Sequence, residues 1–137
     1  MIINGAVLIF LDCSCLRITS SLQPTYNGVY LVQADLYNGL PVFQRLNDCP
    51  LFLYRFQQEA AYWIIGPTLG MSTGVIQSAW NDSSLPYDVT RWSAFSAENS
   101  SFVDDKQLTV ECSCPGELLS YEAIEYFAQV SHCLMMP

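Results

Sequence analysis

Charged residues are scarce in this chain, and basic residues are the scarcest. Charged residues make up 13% of the 137 residues, and thirteen acids against five bases give a net charge of -8. Five scattered cations cannot form the basic surface that a phosphate backbone requires, so we expect no nucleic-acid partner. No apolar run approaches the ~18 residues that a membrane-crossing helix needs, so we also expect no membrane-spanning segment.

Residues that commonly carry out catalysis are also few. The single histidine, His132, stands beside Cys133 near the C-terminus, so a Ser-His or Cys-His pair would have to recruit it from the tail. The acids Glu98, Asp104 and Asp105 fall in the polar stretch 96–107, which we interpret as an exposed loop or hairpin tip. A solvated loop is favoured there over a paired-carboxylate hydrolase or a calcium site, because the spacing matches neither. We therefore expect no enzymatic activity and no cofactor.

Apolar residues, in contrast, are abundant and occur in short runs. They form 51% of the chain, enough for one domain with a substantial core. The runs are separated by Asn, Gly, Pro and Asp, a pattern typical of an antiparallel meander. The turn at Asn38-Gly39 predicts a positive φ at Gly39. The four clearest runs span residues 28–33, 41–46, 51–56 and 61–66, and further strand character returns at 75–80 and 90–95.

The two ends of this region are predicted to lie side by side. Residues 16–19 and 108–112 both alternate, and each segment adjoins a Cys-x-Cys pair, so we expect them to pair as strands. From Pro115 onward, apolar residues recur at helical spacing and indicate an amphipathic helix. The predicted fold is mainly β, as a single meander sheet or a small barrel or sandwich with one C-terminal helix.

Three segments follow from these patterns. Residues 1–12 form an N-terminal apolar segment, 13–114 the β-rich module, and 115–137 a helix or linker. The first segment lacks a basic region before its apolar run, and Asp12 follows that run, so it fits a signal peptide poorly. A first core strand or an incomplete N-terminus is the favoured interpretation.

The cysteines allow three interpretations. In an oxidising compartment, disulfides would join the opening and closing Cys-x-Cys pairs. In a reducing compartment, Cys13, Cys15, Cys112 and Cys114 could instead hold zinc, although zinc knuckles usually have two residues between the cysteines. Plain reduced core cysteines are the third interpretation. The disulfide candidates are Cys13, Cys15, Cys49, Cys112, Cys114 and Cys133.

Five landmarks in order resemble a known kind of module. They are Asn27-Gly-Val-Tyr30, Asn38-Gly-Leu-Pro-Val-Phe43, Leu51-Phe-Leu-Tyr54, Tyr62-Trp-Ile-Ile65 and Trp92. The chain is similar between Cys15 and about Cys112 to a small β-rich module with the pattern Asn-Gly-x-Tyr, Asn-Gly-Arg-Pro-x-Tyr, Tyr-Leu-Tyr-Tyr, Trp-x-Ile and Trp. Leu40 and Phe43 replace the usual Arg and Tyr. The resemblance implies a non-catalytic module of large multidomain proteins, many of them extracellular.

The aromatic residues are the candidates for ligand recognition. Exposed tyrosine or tryptophan rings can stack on a sugar or anchor a protein partner, and we single out Tyr37, Tyr54 and Trp80 for this role. Trp63 and Trp92 stand in strand contexts that predict a place in the core.

The sequence thus predicts a non-catalytic extracellular or cell-surface module that presents an aromatic-rich β scaffold to a protein or glycan partner. Asn81 and Asn99 begin Asn-x-Ser acceptor sequences for N-glycosylation, which agrees with secretion. The alternative is a cytoplasmic protein-interaction domain stabilised by zinc at the Cys-x-Cys pairs.

Overall fold

The computed structural model describes residues 2–3, 6–7, 13–45 and 49–113, with only the backbone described before residue 13. A two-stranded sheet and a nine-stranded sheet, both antiparallel, lie in these ranges. Short 3-10 helices at Pro24–Tyr26 and Pro86–Asp88 interrupt the connections. The strands are β1 (Ile2–Ile3), β2 (Ala6–Val7), β3 (Cys15–Thr19), β4 (Gly28–Tyr37), β5 (Leu40–Arg45), β6 (Phe52–Gln57), β7 (Ala61–Gly66), β8 (Ile76–Ser78), β9 (Trp92–Ser96), β10 (Ser101–Asp104) and β11 (Thr109–Cys112).

The predicted meander is confirmed. Strands β3 to β10 neighbour one another in chain order, and the strands predicted from the four apolar runs are β4, β5, β6 and β7. The β4–β5 turn has φ 54° at Asn38 and 75° at Gly39, both in the left-handed region that a tight hairpin turn of this type requires. One prediction was too coarse, because residues 96–107 contain strand β10 and only the turn at 97–100 is a hairpin tip.

The sheet curls into an open half-barrel. The last strand, β11, pairs with β3 at the edge opposite β10, although only residues 105–108 separate β10 from β11. Eight strand spacings in a flat sheet would hold these edges roughly 38 Å apart. The connection can span at most about 18 Å, so the edges must approach each other.

Where the two ends of the sheet approach each other, at a junction that we call the seam, hydrogen bonds join the segment after β3 to β9 and to the residue after β10. The hydroxyl of Ser20, the residue after β3, donates to the carboxylate of Asp105 at 2.9 Å, and the side-chain carboxamide of Gln23 donates to the Phe95 carbonyl at 2.7 Å. The Asp105 amide in turn donates to the Trp92 carbonyl at 2.9 Å. The buried Asp105 carboxylate thus links the start of the sheet to its end.

The two faces of the sheet carry separate apolar clusters. The inner cluster contains the predicted core tryptophans, Trp63 and Trp92, which are both buried. The smaller outer cluster is built on Val42, Tyr54, Phe56 and Ile64. Alternate residues of β6 and β7 contribute to each cluster, which explains why these strands are apolar on both sides.

The predicted pairing of the domain ends is also confirmed. Strand β11 pairs with β3 in the register Cys112–Leu16 to Thr109–Thr19, and a disulfide joins Cys13 to Cys112. Cys15 and Cys49 are disulfide-bonded as well, and no cysteine in the described ranges is a free thiol. Because a disulfide removes the thiolates of Cys13 and Cys112, a zinc site on all four predicted thiolates is not formed in this structure.

The predicted helix from Pro115, together with Cys114, His132 and Cys133, lies outside the described residues.

Candidate binding cleft

The β6–β7 hairpin places two aromatic side chains side by side on the outer face of the sheet. Phe56 and Tyr62 are directly opposed in the strand register, so their side chains project on the same side. Their ring centroids lie 5.5 Å apart at an angle of 46°. The hairpin turn at residues 58–60 then carries Gln58 and Glu59 beyond the end of these rings.

A side-chain cap brings Trp80 next to this pair. Asn81 adopts a left-handed conformation with φ 63°, and its carboxamide oxygen accepts the Ala61 amide at 3.2 Å. The Asn81 amide donates to the Ala61 carbonyl. These reciprocal bonds fix the residue after Trp80 to the start of β7, and the Trp80 indole therefore stacks on Tyr62 with centroids 5.8 Å apart at 17°.

Trp80 remains largely uncovered. Its side chain is 63% exposed, the largest value among the described large apolar residues. A tryptophan that contributed only to the core would be expected to lose most of its surface. The ring is therefore presented to solvent while Tyr62 holds it in place.

Trp80, Tyr62 and Phe56 border a cleft of about 240 Å³. Three polar residues of its lining, Gln58, Glu59 and Ser72, are exposed and can form hydrogen bonds with a ligand. Burial raises the pKa of Tyr62 above its ordinary value. Among the residues that the structure describes, the lining carries one acid and no base, and consists of Phe56, Gln58, Glu59, Ala60, Tyr62, Ser72 and Trp80.

Only one of the three predicted recognition residues lies at this cleft. Trp80 does, but Tyr54 is fully buried, and its single O–H proton is shared between the carbonyls of Thr68 and Met71 in the loop that covers the outer cluster. Burial raises the pKa of Tyr54 to about 12. Tyr37 is half-buried and meets the Tyr54 ring edge-on at 5.4 Å. Both tyrosines thus pack beneath the loop.

Phe56 and Tyr62 were not singled out from the sequence as cleft residues. The signal was present, because alternation in β6 and β7 places Phe56 and Tyr62 on one face. The sequence did not show that Trp80 would stack on that face.

A second cleft, of about 280 Å³, lies at the seam beside Trp92. Arg91 and Asp104 form an exposed ion pair there at 3.5 Å, and Lys106 and Asp105 also line it. The indole nitrogen of Trp92 is buried and has no hydrogen-bond partner among the described residues. The charged side chains of this cleft have both signs, and solvent screens the exposed ion pair. Because Trp92 is buried, the cleft presents no aromatic surface comparable to Trp80.

The two glycosylation candidates occupy different settings. Asn99 lies in the exposed turn between β9 and β10, where its backbone amide donates to the Ser96 hydroxyl at 3.3 Å. Asn81 is exposed too, but its carboxamide oxygen holds the Ala61 amide next to Trp80.

Within the described part of the chain, no three or more His, Cys, Asp or Glu side chains gather as a metal-binding group. No helix among the same residues has the length and apolar character needed to cross a membrane.

Comparison of the chain with protein-family models, with curated proteins and with solved structures found no match. The resemblance of the five landmarks to a β-rich module therefore stays a prediction from the sequence.

Proposed function

We propose that the protein is a non-catalytic recognition module of the cell surface or extracellular space, which binds a protein or glycan partner through the Trp80 cleft. The observation that carries the proposal is the exposed Trp80 indole, held by Tyr62 and Asn81 beside a cleft with polar side chains on its rim. Binding sites concentrate their energy in such aromatic anchors, and tryptophan is enriched among them.

The oxidised cysteines support the choice of compartment. The disulfide between Cys13 and Cys112 closes the module, and such bonds persist mainly in secreted and cell-surface proteins. They speak against the alternative of a cytoplasmic zinc-stabilised domain. The glycosylation acceptors Asn81 and Asn99 are exposed, as the attachment of a glycan requires, and Asn99 is the one that lies away from the Trp80 cleft.

The described side chains also support a binding role over a catalytic one. Catalysis by hydrolysis or acyl transfer needs a nucleophile or a pair of titratable groups held together in a cleft. The Trp80 cleft contains one titratable carboxyl group, that of Glu59, and the hydroxyl of Ser72. An exposed aromatic ring with a few polar side chains beside it is instead typical of a site that binds and orients a ligand.

The test is a binding screen of the labelled full chain against arrayed oligosaccharides and purified extracellular proteins. We expect at least one partner, and we expect Trp80→Ala to weaken that binding by at least about tenfold because the anchoring ring is lost. Phe102→Ala is the matched control. Phe102 is another exposed aromatic residue, 38% accessible, and contacts Phe95 edge-on at 5.8 Å in strands β9 and β10.

Unchanged affinity for every bound partner in the Trp80→Ala protein would contradict the proposal, as would an equal loss in the Phe102→Ala protein. Circular dichroism and a thermal unfolding curve for each variant establish that the fold is retained.

A further inference from the structure

We propose that the Trp80 cleft binds a neutral sugar ring of a glycan, with the free face of the indole stacked against the apolar face of a pyranose. This inference rests on the proposed function, because it names the ligand class of the same cleft. Four features of the cleft distinguish a neutral sugar from an acidic glycan and from a basic side chain of a protein.

The first feature is the arrangement of the rings. Tyr62 and Trp80 are nearly parallel, at 17°, and stack on each other, so Tyr62 covers one face of the indole. The 63% exposure of Trp80 comes from the surface that Tyr62 leaves free. One flat and open aromatic face is a platform for a flat apolar surface. Phe56 and Tyr62 also line the cleft, but Phe56 is buried and Tyr62 is half-buried, so Trp80 is the one largely exposed ring of this lining. Sites for quaternary ammonium groups instead place several open rings around the cation as a cage.

The second feature is the hydrogen-bonding character of the rim. The carboxamide of Gln58 and the hydroxyl of Ser72 can each donate and accept, while the carboxylate of Glu59 accepts. Sugar hydroxyls also donate and accept, so they match this mixture. A lysine or arginine side chain only donates, so it would use the acceptors of this rim and none of its donors.

The third feature is charge. The described lining of the cleft contains Glu59 and no basic residue, and the chain carries a net charge of -8. A sialylated or sulfated sugar would bring a like charge next to this carboxylate, which is unfavourable. A neutral ring avoids that repulsion and can still donate hydrogen bonds to Glu59.

The fourth feature is size. The cleft of about 240 Å³ is smaller than the roughly 300–1,000 Å³ typical of pockets that enclose a whole small molecule. It therefore suits one ring of a longer chain whose other rings stay in solvent. The open rim at the hairpin turn leaves room for such a chain to continue.

The experiment is a titration of the ¹⁵N-labelled full chain, with its disulfides intact, followed by the indole N–H signal of Trp80. Trp80→Phe identifies that signal by its disappearance. The neutral probes are cellobiose, maltotriose, lactose, mannotriose and N,N′,N″-triacetylchitotriose. The acidic probes are 3′-sialyllactose and a heparin tetrasaccharide, and the basic probe is the capped peptide Gly-Arg-Gly.

We expect at least one neutral probe to shift the Trp80 signal saturably, and more tightly than any acidic or basic probe. Trp80→Ala should weaken this binding by at least about tenfold. Gln58→Ala and Ser72→Ala should each weaken it by roughly threefold to tenfold, as expected for one hydrogen bond. Phe102→Ala should leave it unchanged.

The inference is overturned if no neutral probe shifts the Trp80 signal, or if the acidic or basic probes bind as tightly as the neutral ones. If a protein from the binding screen still depends on Trp80 in that case, the sugar assignment alone fails. If no ligand of any kind depends on Trp80, the proposed function fails with it.

Discussion

Two of the five basic residues of this acidic chain are buried rather than exposed, and each one bonds to backbone carbonyls. Arg45 donates to the carbonyls of Thr25, Asn27 and Cys49, which belong to two different connections. Arg55 donates to the carbonyl of Asp82 and lies 5.9 Å from the centroid of the Trp63 ring. Burial lowers the pKa of Arg55, but guanidinium groups remain charged in proteins. Arg45 and Arg55 lie near opposite ends of the adjacent strands β5 and β6. Each arginine therefore holds nearby connecting segments to the sheet at one end of the half-barrel.

This arrangement predicts that the planar guanidinium of Arg45 matters as well as its charge. Arg45→Lys keeps the charge but cannot reach three separated carbonyls from one ammonium group. We expect the free energy of unfolding to fall by about 2–4 kcal/mol, because bonds to charged groups are lost in a buried place. Urea denaturation followed by the fluorescence of Trp63 and Trp92 measures this change.

Arg17→Lys is the control for this prediction. Arg17 is exposed on β3, so the same substitution should change the free energy of unfolding by less than about 0.5 kcal/mol. Equal effects of the two substitutions would show that Arg45 does not hold the connections.

Single residues also show where sequence reasoning reached its limit. Trp80 and Tyr54 are candidates from the sequence for one reason, that their rings could stack on a ligand if they were exposed. The structure exposes Trp80, whereas the Tyr54 ring is buried and its hydroxyl bonds to carbonyls of Thr68 and Met71, which are distant in sequence. Alternation within a strand shows which face a ring occupies. It does not show whether a loop covers that face.

At the scale of elements, the loop 67–75 is what divides the outer face into a covered and an open part. It returns along β7, where the Val75 amide donates to the Ile65 carbonyl at 3.2 Å. Gly66 and Gly74 approach each other backbone to backbone, and a Cβ atom on Gly74 would overlap the Ile65 carbonyl oxygen. The absence of side chains at both positions lets the loop lie on the sheet, cover Tyr54 and bring Ser72 to the cleft.

Gly74→Ala should therefore destabilise the protein by about 1–3 kcal/mol, because the added methyl group meets a well-packed backbone. It should also increase hydrogen exchange of the backbone amides in residues 67–75 more than elsewhere in the sheet. Thr73→Ala, at an exposed neighbouring position, should change stability by less than about 0.5 kcal/mol. Hydrogen exchange that rises evenly over the sheet, with no excess in the loop, would contradict this role of Gly74.

Most strands could be predicted from the sequence, because their apolar runs and the turn residues between them indicate the same boundaries. Strand β10 was missed as a strand because its sequence, Ser101 to Asp104, has only four residues, of which two are polar, and lies within a polar stretch. It is an edge strand whose residues are mostly exposed. Because neither face is buried, its sequence does not alternate between apolar and polar residues. Its partner β9 holds it through a ladder that runs from the pair Ser101–Ser96 to the pair Asp104–Ser93, and Phe102 contacts Phe95 across the two strands.

At the scale of the whole molecule, the two ends of the module are joined in three ways. Strand β11 pairs with β3, the disulfide joins Cys13 to Cys112, and Asp105 bonds to Ser20 across the seam. The pairing of the ends was predicted from two alternating segments beside Cys-x-Cys pairs. The curl of the sheet was not, because it follows from the placement of β11 beside β3 together with a short connection from β10.

The disulfide closes a segment with a sequence separation of 99 residues, so it restricts the unfolded chain strongly. We expect the double substitution Cys13→Ser and Cys112→Ser to lower the free energy of unfolding by about 2–5 kcal/mol. Peptide mapping of the natural protein without reduction should recover residues 13 and 112 in one linked peptide. It should also find at most two of the six cysteines as free thiols, since the four described ones are all bonded.

Two free thiols at positions 13 and 112 would contradict this account of the closure. An unchanged unfolding midpoint in the double variant would show that the disulfide adds nothing to stability.

The central claim is that the Trp80 indole is the contact surface for a ligand, and oxidative footprinting tests it most directly. The protein is oxidised briefly with and without a saturating ligand from the binding screen, and oxidation of each tryptophan is measured by peptide mass spectrometry. Trp63 and Trp92 are 1% and 5% exposed, so they serve as internal references that stay protected in both samples. We predict that Trp80 is the most oxidised tryptophan in the free protein and becomes protected when the ligand is bound. Equal oxidation of Trp80 with and without the bound ligand would contradict the claim.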